Sequence, residues 1–491
     1  MSAHRIAYVT SEIAPFAKTG GLADVSSALP IALSEAGHDV RVFAPLYSAI
    51  DVAKFEFEAV PELADVPLQL GNRRLRYSVF RAPLPGTKVV VHFVHCPALY
   101  DRASLYTNDA DEHVRFALLS HASIEACQRW AWAPEVFHCH DWQTALIPAL
   151  LKSVYAWDRL FQRTGTVLTI HNLGYQGSFP AEVLPDTGLE GAAHLLHPED
   201  LRAGRIGFLK TGIIHADFLT TVSPTYAKEI QTEAFGVGLH EWLARRGDTL
   251  VGIRNGIDTN VWNPRTDEHL AVRYSAKNVA RKEKCKESLL EEVGMPSEPG
   301  VPLVGMITRL TYQKGIDLLF DALPEVLSAR SVQLVVLGDG ESKYERFFSG
   351  LQDRFPGRAW FYRGFHGPLA HRIEAGADVF LMPSLYEPCG LNQMYSLVYG
   401  TIPVVRRTGG LADTVTLYDP DTGRGNGIVF EHPTPQGARW GLETAIDLYE
   451  QPDVWKVLIQ NAMAEDFSWD QPVREYERVY ERVAAERTAE V

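Results

Sequence analysis

Cysteine is scarce in this sequence, and the five present (Cys96, Cys127, Cys139, Cys285, Cys389) are odd in number and scattered. That argues against a disulfide framework and for a reduced, cytoplasmic protein. Positive charge is in deficit: 47 Lys and Arg against 61 Asp and Glu leave a formal net charge of -14. With no basic tract to offset it, nucleic acid is not expected as a partner. No uninterrupted apolar run is long enough to cross a bilayer, so no membrane partner is expected. The chain passes directly from His4 and Arg5 into the strand-like IAYVT, without the apolar core of a secretory leader. Metal and cofactor signatures are missing too. His138-Cys139-His140 lacks a fourth ligand at tetrahedral spacing. Asp109-Ala110-Asp111 and Asp419-Pro420-Asp421 lie in turn-like polar stretches and read as loop carboxylates. Neither G-x-G-x-x-G at the first strand turn nor a G-x-S-x-G elbow is present. The expectation is no metal and no cofactor.

What is present is a chain of 491 residues, 46% hydrophobic and 22% charged, too long for one ordinary core. Short apolar runs at residues 6–10, 39–44, 88–94, 136–140, 166–171 and 218–222 alternate with helical stretches, of which 25–36 is the first. The texture turns polar between 263 and 300, and the rhythm then restarts at 303–308, 333–337, 359–362, 379–382, 402–405 and 427–430. This predicts an α/β protein of two Rossmann-like, doubly wound domains. The expected limits are 1–262, 263–466 and a helical tail at 467–491 that packs back on the first domain. Ligands of such sheets bind beyond the strand carboxyl ends, so two facing domains would enclose a central cleft.

One string occurs twice. Lys18-Thr19-Gly20-Gly21-Leu22-Ala23-Asp24 near the start is matched by Arg407-Thr408-Gly409-Gly410-Leu411-Ala412-Asp413, differing only in which cation leads. A cation, a hydroxyl and two glycines before a helix describe a loop that lets backbone approach an anion at a helix start. Other strand-exit loops carry matching chemistry. Arg309 and Lys314 follow one strand and can neutralise a diphosphate. Glu387, just before Cys389-Gly390-Leu391-Asn392, follows another and can bind sugar or ribose hydroxyls. In the first half, HCHDWQ (138–143) and HNLGYQG (171–177) also follow strands.

Taken together and in this order, KTGGLADV, HDWQ, HNLGYQG, SPTYAKEI, NGID, RLTYQKG, EPCGLNQ and TGGLADTV resemble the bacterial glycogen synthase and plant starch synthase family, retaining glucosyltransferases of the GT-B fold. The resemblance implies transfer of glucose from ADP-glucose to the non-reducing end of glycogen or another α-1,4-glucan. It implies that Lys18, Gly20, Gly21 and Asp24 face the donor, as do Asn255 of NGID and the Thr408-Gly409-Gly410 loop. Arg309 and Lys314 would stabilise the leaving diphosphate. Glu387, with the segment Cys389, Gly390, Leu391 and Asn392, would hold the donor glucose. His171 would lie near the 6-hydroxyl and Asp141 beside the reaction centre. Tyr100, Asp101, Trp142, Gln143 and Tyr175 would form the acceptor side.

The residues themselves agree on the main point. Breaking a nucleotide-sugar bond builds negative charge on the diphosphate, and with no metal motif, fixed cations and helix starts must meet it. No carboxylate is an evident nucleophile, which favours front-face displacement. Departures from the family pattern are Gln143 where a second His is frequent, 100–106 without a glycine, Asn392 where Thr is common, and Tyr395 where broader relatives carry a second Glu. A UDP-glucose-dependent transferase, a glucan phosphorylase and a non-catalytic glucan-binding protein are the competing readings.

Overall fold

The structure is a computed structural model that describes residues 3–490. The chain divides into two compact units: one holds the residues up to Gly256 together with those from Trp469 onward, the other is Ile257–Ser468.

The first unit is built on β1 (Arg5–Val9), β2 (Asp39–Pro45), β3 (Val90–His95), β4 (Val136–His140), β5 (Gly165–Ile170), β6 (Phe218–Thr221) and β7 (Leu250–Gly252). These pair in parallel in the order β7-β6-β5-β4-β1-β2-β3. Every residue of β4, β5 and β6 is buried, as expected where helices cover both faces of a parallel sheet. Beyond β3 the sheet continues antiparallel through Arg73–Pro83, which also pairs with Val66–Leu70. That hairpin is absent from the sequence reading. Its strands alternate polar or charged residues with buried apolar ones, so they lack the continuous apolar run that marks the others.

The second unit restarts with β8 (Leu303–Leu310), β9 (Gln333–Gly340), β10 (Ala359–Arg363), β11 (Val379–Met382), β12 (Ile402–Arg406) and β13 (Ile428–Phe430). All are parallel, in the order β10-β9-β8-β11-β12-β13. In each sheet the strand order reverses direction once: between β1 and β4 in the first unit, between β8 and β11 in the second. Loops leaving the carboxyl ends there diverge and open a crevice.

The final helix, Asp470–Glu490, lies in the first unit. Tyr476 and Tyr480 are fully buried, the Tyr480 hydroxyl is 2.8 Å from His138 Nδ1, and Glu477 is 3.1 Å from His38 Nε2. Gly165 at the head of β5 gives it room, because a Cβ there would collide with Val483. The unit boundaries fall at 256/257 and 468/469 rather than at 262/263 and 466/467. Among the described residues no helix is long and apolar enough to cross a membrane.

Candidate active site

In the second unit, the two loops at the switch point meet. Leaving β8, the chain turns through Tyr312–Lys314 to Gly315, whose φ of 68° and close seat against the Pro383 carbonyl suit only glycine. This brings Lys314 Nζ to 2.6 Å from Glu387 Oε2, in the loop that leaves β11. The Ser384 hydroxyl donates to the same oxygen at 2.9 Å. Glu387 is buried and Lys314 mostly so. Arg309 is exposed and makes no ion pair among the described residues, which leaves it as the cation available to an incoming anion. Arg406, at the end of β12, braces the β11 loop by donating to the carbonyls of Ser384 and Leu385.

The second glycine string takes a different part from the one expected. Gly409 and Gly410 open a six-residue helix (Gly409–Thr414) and are buried against the backbone of 387–389. A Cβ on either would strike the carbonyl of Glu387 or Cys389. The Gly410 N–H donates to the Glu387 and Pro388 carbonyls at 3.0 and 3.2 Å, so it is not offered to a phosphate. Thr408 is likewise fully buried. These three residues support the Glu387 loop from below. The Asn392 amide donates to the Ile307 carbonyl at 2.7 Å and ties the helix Asn392–Val398 to β8. Gln393 donates to the Cys389 and Gly390 carbonyls and fixes that turn, where Gly390 has φ 72°. Leu391 is the N-cap residue. Tyr395 stacks on Trp262, with centroids 3.9 Å apart and planes 10° from parallel.

In the first unit the glycine string does form an open loop. Gly20 precedes α1 (Gly21–Glu35), and a Cβ at Gly20 would meet nothing within 4 Å. The helix begins at Gly21, not Val25, so GLAD (21–24) is its first turn. The loop is organised by a residue the sequence reading missed. Glu12, buried after β1, accepts the N–H groups of Thr19 (2.6 Å) and Gly20 (3.2 Å), while its other oxygen takes the Thr19 and Tyr106 hydroxyls at 2.6 and 2.7 Å. The signal available was a carboxylate in the exit loop of the first strand. Lys18 and Asp24 are exposed partners at 2.6 Å.

Across the switch, β4 ends at Asp141, a non-glycine residue held at φ 56°. Such backbone strain marks a position fixed by its surroundings. Its carboxylate accepts the backbone N–H groups of His171 (2.7 Å) and Asn172 (3.3 Å). Burial pushes its pKa up to about 7, against the lowering effect of those two bonds, and Glu12 adds to the rise. His171 Nε2 lies 2.9 Å from His140 Nδ1, and burial lowers the His171 pKa to about 3, so the ring is neutral.

The acceptor-side residues separate into two groups. Tyr100 is a core residue, 1% exposed, its hydroxyl donating to the Arg115 carbonyl at 2.7 Å; it is not available to an acceptor. Trp142 is buried among Phe116, Phe179 and Phe208, beneath Gly177, where any Cβ would collide with its ring. It shapes the 171–177 loop from inside. Asp101 and Tyr175 are exposed, and Gln143 is buried with its Oε1 unpartnered among the described residues. Asn255 is buried with an unpartnered Oδ1. The Asp-x-Asp strings are turns: Asp111 pairs with Arg102 at 2.7 Å, and Asp419 accepts from Thr422 at 2.8 Å.

Residues 5–245 match a family model described as the starch synthase catalytic domain, and residues 294–462 match the glycosyl transferases group 1 model. Over 483 residues the chain is 43% identical to a glycogen synthase of Koribacter versatilis, covering 97% of this chain and 98% of the relative. A glycogen synthase of Treponema denticola is 42% identical over 490 residues, with 97% and 98% coverage. Among solved structures, the catalytic domain of starch synthase IV from Arabidopsis thaliana, bound to ADP and acarbose, has a TM-score of 0.92 at 34% identity, covering 99% of this chain and all of that one. Sucrose-phosphate synthase from Thermosynechococcus elongatus (TM-score 0.59, 17% identity, 98% and 99% coverage) shares the fold alone.

Proposed function

The chain belongs to the starch synthase catalytic-domain family, glycosyltransferases of the GT-B fold, and from that membership we propose that it moves glucose from ADP-glucose to the non-reducing end of an α-1,4-glucan, with retention and without a divalent metal. The observation that carries this reading is the Lys314–Glu387 pair at the switch point, in a chain whose solved relative holds ADP and acarbose.

Arg309 and Lys314 meet the charge that grows on the departing diphosphate, the part a metal ion would otherwise take. Glu387, oriented by Lys314 and Ser384, accepts hydroxyls of the donor glucose, with the 389–391 turn beside it. We assign Lys18 and the Gly20-Gly21 loop to the donor, His171 to its 6-hydroxyl, Asp141 to the anomeric carbon, and Asp101, Gln143 and Tyr175 to the acceptor. Neither carboxylate is a ready nucleophile. Asp141 is held partly protonated near neutral pH, and one oxygen of Glu387 is taken by Lys314 and Ser384. Front-face displacement, in which the leaving phosphate accepts the proton of the attacking hydroxyl, fits this arrangement. All five cysteines are buried free thiols, in keeping with a reducing cytoplasm.

The test is incorporation of labelled glucose into glycogen from ADP-glucose and, in parallel, UDP-glucose, in the presence of a chelator. Transfer from ADP-glucose is expected. No transfer from either donor would overturn the reading.

A further inference from the structure

We infer that His140 is a positioning residue that fixes the tautomer of His171, so that His171 meets the donor sugar through an Nδ1–H group. The inference rests on the reading above that His171 touches the donor.

Two neutral imidazoles joined nitrogen to nitrogen need one donor and one acceptor. His140 Nδ1 and His171 Nε2 are 2.9 Å apart, and burial lowers both pKa values well below the ordinary imidazole value, so both rings are neutral. The choice of donor is decided by the far side of His140. Its Nε2 is buried and has no partner among the described residues. Tyr8 and His138 cover the faces of the ring, with centroids 4.1 and 4.2 Å away and planes tilted 31° and 41°. An N–H in the plane of His140 therefore points at neither face. His138 offers no help, because its Nδ1 is 2.8 Å from the Tyr480 hydroxyl and its Nε2 is 2.7 Å from Thr169 Oγ1.

A proton on His140 Nε2 would thus be a buried donor with nothing to receive it. A proton on Nδ1 is used against His171 and leaves only a lone pair unmet. Buried donors without partners are rarer than under-used acceptors. His140 Nδ1–H therefore donates, His171 Nε2 accepts, and the single proton of His171 sits on Nδ1. That nitrogen makes no hydrogen bond among the described residues, and the Asp141 carboxylate fixes the backbone that carries it. His171 is then a donor to a sugar oxygen and not a base.

The direct test is a long-range ¹H–¹⁵N correlation spectrum of the full-length wild-type protein labelled with ¹⁵N-histidine. His171 Nε2 is expected at the position of an unprotonated nitrogen and Nδ1 at that of a protonated one; a protonated Nε2 overturns the inference whatever the variants do. The second test uses His140→Asn, whose amide N–H stands in for Nδ1–H, and His140→Gln, whose amide reaches the Nε2 position instead. His140→Gln should lower kcat with ADP-glucose about 10- to 100-fold, the usual cost of losing an outer partner of a functional histidine. It should have much less effect with ADP-6-deoxyglucose, and His140→Asn should restore most of the rate. Equal losses on both donors, or no rescue by Asn, would reduce His140 to a packing role. A protein that used no nucleotide-sugar at all would refute the proposed function, while the spectrum would still decide the tautomer.

Discussion

Lys314 and Glu387 come from loops after two adjacent strands, β8 and β11, and form a 2.6 Å ion pair that Ser384 completes. Both side chains are largely withdrawn from water, so removing either leaves its partner's charge uncompensated at the switch point. Glu387→Gln and Lys314→Met should each lower kcat about 100-fold or more, the scale of losing one preorganised electrostatic group. Because the two act as a unit, the double variant should lose far less than the product of the single losses. Additive losses in a double-mutant cycle would show that the pair is not a functional unit.

The two glycine strings separate in the same kind of experiment. Gly20 has extended φ (-161°) and open space where a Cβ would go, whereas Gly410 is pressed against the Cys389 carbonyl. Gly20→Ala should melt within a degree or two of wild type yet lose activity, since the added methyl occupies the ground a ligand needs. Gly410→Ala should cost on the order of 2–4 kcal/mol, as overpacking against backbone does. A thermal melt and a rate for each variant check this, and a Gly20→Ala protein of full activity would remove the loop from the site.

Much of this was legible in the sequence because switch-point loops follow directly from strand order. Lys314 and Glu387 in the second unit, and Asp141 and His171 in the first, each stand at or within a few residues of the end of a short apolar run, and each sheet gathers such positions at its own carboxyl edge. The repeat misled by its identity: the sequence of a glycine string does not say whether its backbone faces a ligand or another loop. Glu12 escaped notice as a lone carboxylate in a loop, and Tyr106 because its bond to Glu12 joins residues far apart in the chain. Tyr100 misled in the opposite direction. The resemblance put it on the acceptor side, but one backbone carbonyl is enough to satisfy its hydroxyl inside the core.

The Tyr480 hydroxyl bridges the final helix to His138, and both groups are fully buried. Burial lowers the His138 pKa to about 3, so the ring stays neutral, with Nδ1 against the Tyr480 hydroxyl and Nε2 2.7 Å from Thr169 Oγ1. Tyr480→Phe leaves His138 Nδ1 without its partner and should cost about 1–3 kcal/mol of stability. Chemical denaturation of the variant measures this directly, and an unchanged midpoint would mean that this hydrogen bond adds nothing to the anchoring of the helix.

Asp141 gives a pH signature whose sign can be worked out. Its folded pKa, about 7, lies above the ordinary carboxylate value of 3.8 because burial penalises the charge. Between those two values the native state holds a proton that the unfolded chain has released, so this residue makes stability fall as pH rises, by up to about 1.4 kcal/mol per pH unit within that window. Above about pH 7 the loss is complete and the slope vanishes. Asp141→Asn keeps an oxygen for the His171 and Asn172 amides but carries no charge, so it should stabilise the protein at pH 8 and give progressively less advantage towards pH 5. The rate should move the other way. If the carboxylate steadies positive charge on the sugar ring, kcat/KM of the wild type rises through an inflection near pH 7, and that inflection disappears in Asp141→Asn. A variant with the wild-type pH profile would mean that Asp141 holds the loop and takes no part in the transfer.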